Sequence, residues 1–123
     1  MGRTIGAVLG GVLGWVVVGS VLNRLMRAGL DGYAAAEPVF KFTVVMLLAR
    51  LATAAVAQLA AGALAARIAP ASPRAPLFTG LLLLAVFVPV HAHIWEHFPL
   101  WYHALFLITL APLVVLGGQL ARR

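Results

Sequence analysis

The sequence has no cysteine and only three acidic residues, and just 10% of its 123 residues are charged. Soluble chains carry about 25%. Without cysteine there is no disulfide framework, no thiolate metal ligand and no redox role of the quinone–disulfide type. The polar, weakly hydrophobic composition that marks a disordered chain is also missing. What abounds is apolar: 63% of the residues, against roughly 45–50% in soluble domains. A soluble fold this short leaves too much surface exposed to hide that fraction. Composition therefore indicates an integral membrane protein.

A helix crosses about 30 Å of hydrocarbon with about 20 apolar residues. Four stretches qualify: about 5–22, 39–69, 77–95 and 100–120. They predict one all-α transmembrane domain over 1–123, a four-helix bundle running up, down, up, down. The breaks carry turn chemistry. Gly29, Gly32 and Pro38 mark the first, Pro70, Pro73 and Pro76 the second, and Phe98-Pro99 the third. Pro38 is expected in the first turn of span 2, where a helix tolerates it. Pro89 and Pro112 fall inside spans and are expected to kink them. Span 1 is longer than the apolar core of a cleaved signal, about 7–15 residues, so it is expected to be retained.

Four spans place both termini and the second connection on one side. That side holds Arg3, Arg67, Arg74, Arg122 and Arg123 and no acid. The other holds Arg24, Arg27 and Lys41, offset by Asp31, Glu37 and Glu96. Lys and Arg concentrate in cytoplasmic loops, so the termini are expected in the cytoplasm. The net charge of +6 thus has a topological reading. A nucleic-acid role needs a solvated basic module, and there is none. Aromatics agree: Tyr33, Phe40, Phe42, Trp95, Phe98, Trp101 and Tyr102 sit at outward ends of spans, the place of an aromatic belt. Trp15 falls mid-span and reads as packing.

Lipid gives no hydrophobic reward for helix pairing, so close backbone approach must supply contact. Gly2, Gly6, Gly10 and Gly14 form a glycine-zipper face on span 1. Ala49, Thr53, Ala57, Ala61 and Ala65 repeat at the same spacing on span 2. The two faces are expected to pack together within the chain; a homo-oligomer interface is the alternative.

Two features carry candidate chemistry. Counted from Pro38, Arg50 lies about 18 Å along span 2, near the midplane, where an Arg costs about 2.5–3.5 kcal/mol. Thr43 and Thr53 share its face, and no acid from the other spans reaches that depth. It reads as an anion or carboxylate contact, or as an Arg satisfied by carbonyls near Pro89. The second feature is the histidine cluster. His93 and His97 are spaced to share a helix face, Glu96 lies beside them, and His103 begins span 4 across a short turn. Three imidazoles and a carboxylate suit Zn, Cu, Fe or Ni, or general acid–base work. The alternative is an interfacial belt in which His, Trp101 and Tyr102 bond headgroups and loop backbone. Acids and bases of loop 1 are expected to pair with loop 3.

Ala36-Glu37-Pro38, the run from Phe42-Thr43 through Met46 to Ala49-Arg50-Leu51, Pro89-Val90-His91, Phe98-Pro99-Leu100-Trp101-Tyr102-His103, Ala111-Pro112-Leu113 and Leu116-Gly117 resemble a group of small four-span bacterial inner-membrane proteins. The resemblance covers most of the chain. It implies that topology and a bacterial inner membrane, gives weight to Arg50 and His103, and carries no mechanism. Small multidrug exporters fit less well, because their pattern needs a Glu in span 1. The leading expectation is an accessory or interaction subunit of a membrane complex without catalysis of its own, with a membrane-protein partner or a second copy. The alternatives are an outward-facing metal, haem or small-ligand protein using the histidines, and a small transporter with Arg50 on an anionic substrate. No particular cofactor is indicated.

Overall fold

The computed structural model describes residues 2–123, and all regular structure among them is helical. Helix α1 is Gly2–Gly29, α2 is the single turn Tyr33–Ala36, α3 is Val44–Ile68, α4 is Ala75–His93 and α5 is Leu100–Ala121. Short 3-10 turns cover Glu37–Val39 and Trp95–His97. Helices α1, α3, α4 and α5 are each long and apolar enough to cross a membrane. The chain is a multi-pass membrane protein built as a four-helix bundle.

Contacts at the two ends fix the alternation of direction. Arg3 Nε donates to the Ile68 carbonyl at 2.9 Å, and Arg122 Nη2 donates to the Ser72 carbonyl at 2.8 Å. Both ends of the chain therefore meet the α3–α4 connection. At the opposite end loop 1 (30–43) meets loop 3 (94–99). Phe40 stacks on His97 with centroids 4.4 Å apart, and Phe42 stacks on Phe98 at 5.5 Å.

Span 2 starts later than the sequence suggests. Phe40 adopts a left-handed φ of 56°, which no helix continues. The helix then begins at Val44, capped by Thr43, whose Oγ1 accepts from the Met46 amide at 3.2 Å. That cap satisfies one of the free donors of the first turn. Pro38 consequently belongs to a separate 3-10 turn, not to α3. Gly32, at φ 80°, makes the tight turn after α1 that a side chain would strain.

Helix α3 is central and packs along both α1 and α5; α4 packs mainly on α5, while α1 and α5 share no extensive contact. The core joins Ala54 and Ala61 of α3 with Leu83 of α4 and Phe106, Leu110 and Val114 of α5. The closest helix pair is α3–α5. A Cβ on Gly62 would overlap the Val114 carbonyl, and one on Gly117 would overlap the Leu59 backbone. These glycines let the two backbones touch.

The expected α1–α3 packing is present but in another register. Gly2 and Gly6 have nothing within 4 Å of an added Cβ, whereas Gly11 faces Thr79 and the Ala61 carbonyl. Ala7 and Gly11 are the buried residues of α1. Gly10 and Gly14 meet only the ends of Ile68 and Leu64. On α3, Ala57, Ala61 and Ala65 are fully buried, as that stripe requires. One buried group is out of keeping: Gln58, 1% exposed, has no partner for either amide atom among the described residues.

Candidate functional site: a cleft at Arg50

Because α3 begins at Val44, Arg50 lies only about 9 Å along it at 1.5 Å per residue. It sits toward the loop 1 end of α3 and not at the middle of the helix. Its side chain keeps 25% of its surface. The guanidinium is held by hydroxyls. Nε donates to Tyr102 Oη at 3.1 Å, and Nη1 donates to Tyr33 Oη at 2.7 Å. Phe42 and Phe98 approach the same group, their ring centroids 4.9 and 5.4 Å from Cζ. Each such cation–π contact contributes on the order of 0.5–2 kcal/mol.

The nearest acid is one that the sequence reading assigned elsewhere. Glu37 lies 3.9 Å from Arg50 Nη1, but its closer partner is Arg27, at 2.5 Å. Asn23 Nδ2 also donates to Glu37, at 3.1 Å, and Tyr33 Oη donates to Asn23 Oδ1 at 3.0 Å. The network runs Arg27–Glu37–Asn23–Tyr33–Arg50–Tyr102 and joins α1, α2, α3 and α5. It replaces the expected pairing of loop 1 with loop 3: those loops meet through aromatic rings, and Glu96 has no ion pair among the described residues. Burial alone would raise the Glu37 carboxyl. Hydrogen bonds from Arg27 and Asn23, and the charges of Arg27 and Arg50, outweigh it and hold the group below its usual range. Burial raises the Tyr33 phenol despite the opposing effect of Arg50.

Beside this network is a cleft of about 270 Å³. It lies between α1 and α5, the pair that do not pack, with α3 as its floor. Asn23, Arg50 and Tyr102 line its outer end; Trp15, Ala54 and Phe106 line its inner part. Thr53 is also in the wall, and its hydroxyl is directed to Met26 Sδ at 3.4 Å. The volume is at the lower edge of the roughly 300–1,000 Å³ of small-molecule sites. Trp15 packs on Phe87, centroids 4.7 Å apart, and its Nε1 is buried without an acceptor among the described residues.

The structure distributes the sequence candidates unevenly. Arg50, Thr53 and Tyr102 come together at the cleft. Thr43 does not; it is the cap of α3. Trp101 lies outside, on the outward face of α5, edge-on to Tyr102. His93, His97, Glu96 and His103 do not converge. Helix α4 ends at His93, and a 3-10 turn carries Glu96 and His97 away from its face. His97 is taken up by Phe40, and His103 turns inward. No three His, Cys, Asp or Glu among the described residues are grouped to hold a metal.

His103 instead pairs with His91, which is part of the sequence cluster but not of the predicted metal set. Their Nδ1 atoms are 2.7 Å apart, and His103 Nε2 is 3.1 Å from the Trp95 carbonyl. Both rings are buried. The signal for His91 in the sequence is its four-residue spacing from Phe87 and Leu83 on the inner face of α4. Comparison with protein-family models, curated proteins and solved structures finds no match to this chain.

Proposed function

We propose that this chain is a small polytopic membrane protein that works by binding, and that the cleft at Arg50 receives one amphipathic molecule from the bilayer. The observation that supports this is the cleft's division into two parts. A cation, an amide, a phenol and the Arg27-paired carboxylate of Glu37 sit at the outer end, with apolar wall beneath them. Such a division matches a molecule with a polar head and an apolar body. The gap between α1 and α5 gives sideways access from lipid. We place the termini in the cytoplasm and the mouth of the cleft outside on the asymmetry of Lys and Arg, and the chain in a bacterial inner membrane on its resemblance to small four-span proteins of that membrane.

The test is native mass spectrometry from mild detergent. The intact chain is expected to carry a bilayer amphiphile, and Gly19→Phe, which fills the wall of the cleft, is expected to lose it. Equal occupancy in both would end this reading.

A second reading is the accessory subunit of a membrane complex. One observation favours it. Only Ala7 and Gly11 of α1 are buried, and the helix presents Leu9, Leu13, Val17 and Val21 outward. Co-purification of a stoichiometric partner that Leu13→Trp displaces would support it.

A further inference from the structure

The proposed amphiphile site has unmet hydrogen-bonding capacity that is mostly of one kind. Glu37 is occupied by Arg27 and Asn23, and Asn23 is occupied at both ends. Thr53 is directed to Met26. The Ser20 hydroxyl of the wall can donate or accept, and the groups left over beside Arg50 are donors. Arg50 Nη2 has no partner among the described residues and is not sealed in protein. Tyr102 Oη accepts from Arg50, so its own proton is free to donate. Trp15 Nε1–H at the inner end also lacks an acceptor among the described residues, but it is buried and is not one of the open donors. Arg and Trp nitrogens cannot accept. Glu37 and Ser20 also line the cleft, but Glu37 is already held by Arg27 and Asn23, so the balance beside Arg50 favours an acceptor-rich head over a cationic one.

Charge points the same way. Arg27 and Arg50 face one carboxylate, so the outer end carries one uncompensated positive charge. That charge is shielded by Phe42, Phe98 and two phenols. A desolvated cation with open donors interacts most strongly with an anionic oxygen. Resting on the cleft reading above, we infer that the occupant is an amphiphile with an oxyanion head, a carboxylate or a phosphate, bound at Arg50 Nη2 and Tyr102 Oη. Its apolar chain runs inward past Phe106 to Trp15.

The experiment follows quenching of Trp15 in the full chain with Trp95→Phe and Trp101→Phe, in detergent above neutral pH. The probes are dibromostearate, its methyl ester, a brominated phosphatidic acid and inorganic phosphate as competitor. Dibromostearate is expected to quench Trp15 at about tenfold or more lower concentration than the ester, the ratio a charge-assisted bond gives. This comparison needs no change at Arg50. Arg50→Gln is expected to remove the preference for the acid over the ester. Tighter binding of the phosphatidic acid than of the stearate would assign the head as a lipid phosphate; the reverse order would assign it as a carboxylate. Equal quenching by acid and ester overturns the oxyanion head and leaves the cleft reading standing. No quenching by any amphiphile overturns both. Displacement by inorganic phosphate at the amphiphile's own concentration overturns the requirement for a chain.

Discussion

His91 and His103 meet Nδ1 to Nδ1 at 2.7 Å inside the bundle, and the Trp95 carbonyl fixes which of them donates. A carbonyl only accepts, so His103 Nε2 carries its proton. With both rings neutral, His103 Nδ1 is then the acceptor and His91 Nδ1 the donor. Imidazole nitrogen NMR is expected to show opposite tautomers at the two positions. Finding the same tautomer at both would contradict the geometry. His91→Phe leaves His103 Nδ1 unpaired and is expected to cost about 1–3 kcal/mol, read as a lower thermal midpoint.

Gly62 and Gly6 should respond in opposite ways to the same methyl group. Gly62→Ala sets a Cβ against the Val114 backbone, which cannot move aside without parting α3 from α5. A loss of about 1–3 kcal/mol or more is expected. Gly6→Ala meets open space and adds helix propensity, for a change of about 1 kcal/mol or less in the stabilising direction. Thermal unfolding in detergent checks both.

Gln58 has both amide atoms buried without partners. Removing such a group recovers its desolvation penalty. Gln58→Met keeps the length and is expected to stabilise the chain by about 1–3 kcal/mol. An unchanged or lower midpoint would mean that the amide is satisfied in the membrane, which crosslinking or hydration measurements at that position can trace.

Glu37 makes stability depend on acid. Its carboxyl titrates lower in the folded chain than in the unfolded one. The contribution is therefore fully present above the ordinary carboxylate range and is lost as pH falls through it to the lowered value. Between about pH 7 and pH 3 the intact chain is expected to lose more thermal stability than Glu37→Gln does. Parallel losses would remove Glu37 from the account.

The absence of cysteine makes the orientation easy to test. Asp31→Cys in loop 1 and Ala71→Cys in the α3–α4 connection both lie on exposed residues. An impermeant thiol reagent added to intact cells is expected to label the first and not the second. The opposite pattern would invert the molecule.

The four helices were legible because each is a long apolar run, and hydropathy does not depend on partners. Position within a helix was less legible. Val39 to Val44 continues the apolar run of span 2, so nothing in composition shows that Phe40 turns left-handed and that Thr43 restarts the helix. That shift moved Arg50 outward and brought it Glu37, an acid from the loop and not from a span. The glycine pattern misled in a similar way. Four-residue spacing on α1 is conspicuous, yet the decisive contacts use Gly62 and Gly117, which belong to no repeat. The histidine cluster was judged by spacing along an ideal helix. The helix stops at His93, and after that point spacing says nothing about facing.

Helix α1 has 28 residues and measures about 42 Å, while the oily layer is about 30 Å deep. Its last turns therefore stand clear of the hydrocarbon as a mast, with Asn23 and Arg27 at the top gripping the first loop. Bilayer thickness becomes a control on the mouth beside Arg50: a thicker membrane would submerge those stays, and a thinner one would be met by tilt of the mast. Strength of ligand capture should then vary with acyl-chain length of the host lipid, even where no lipid touches the head.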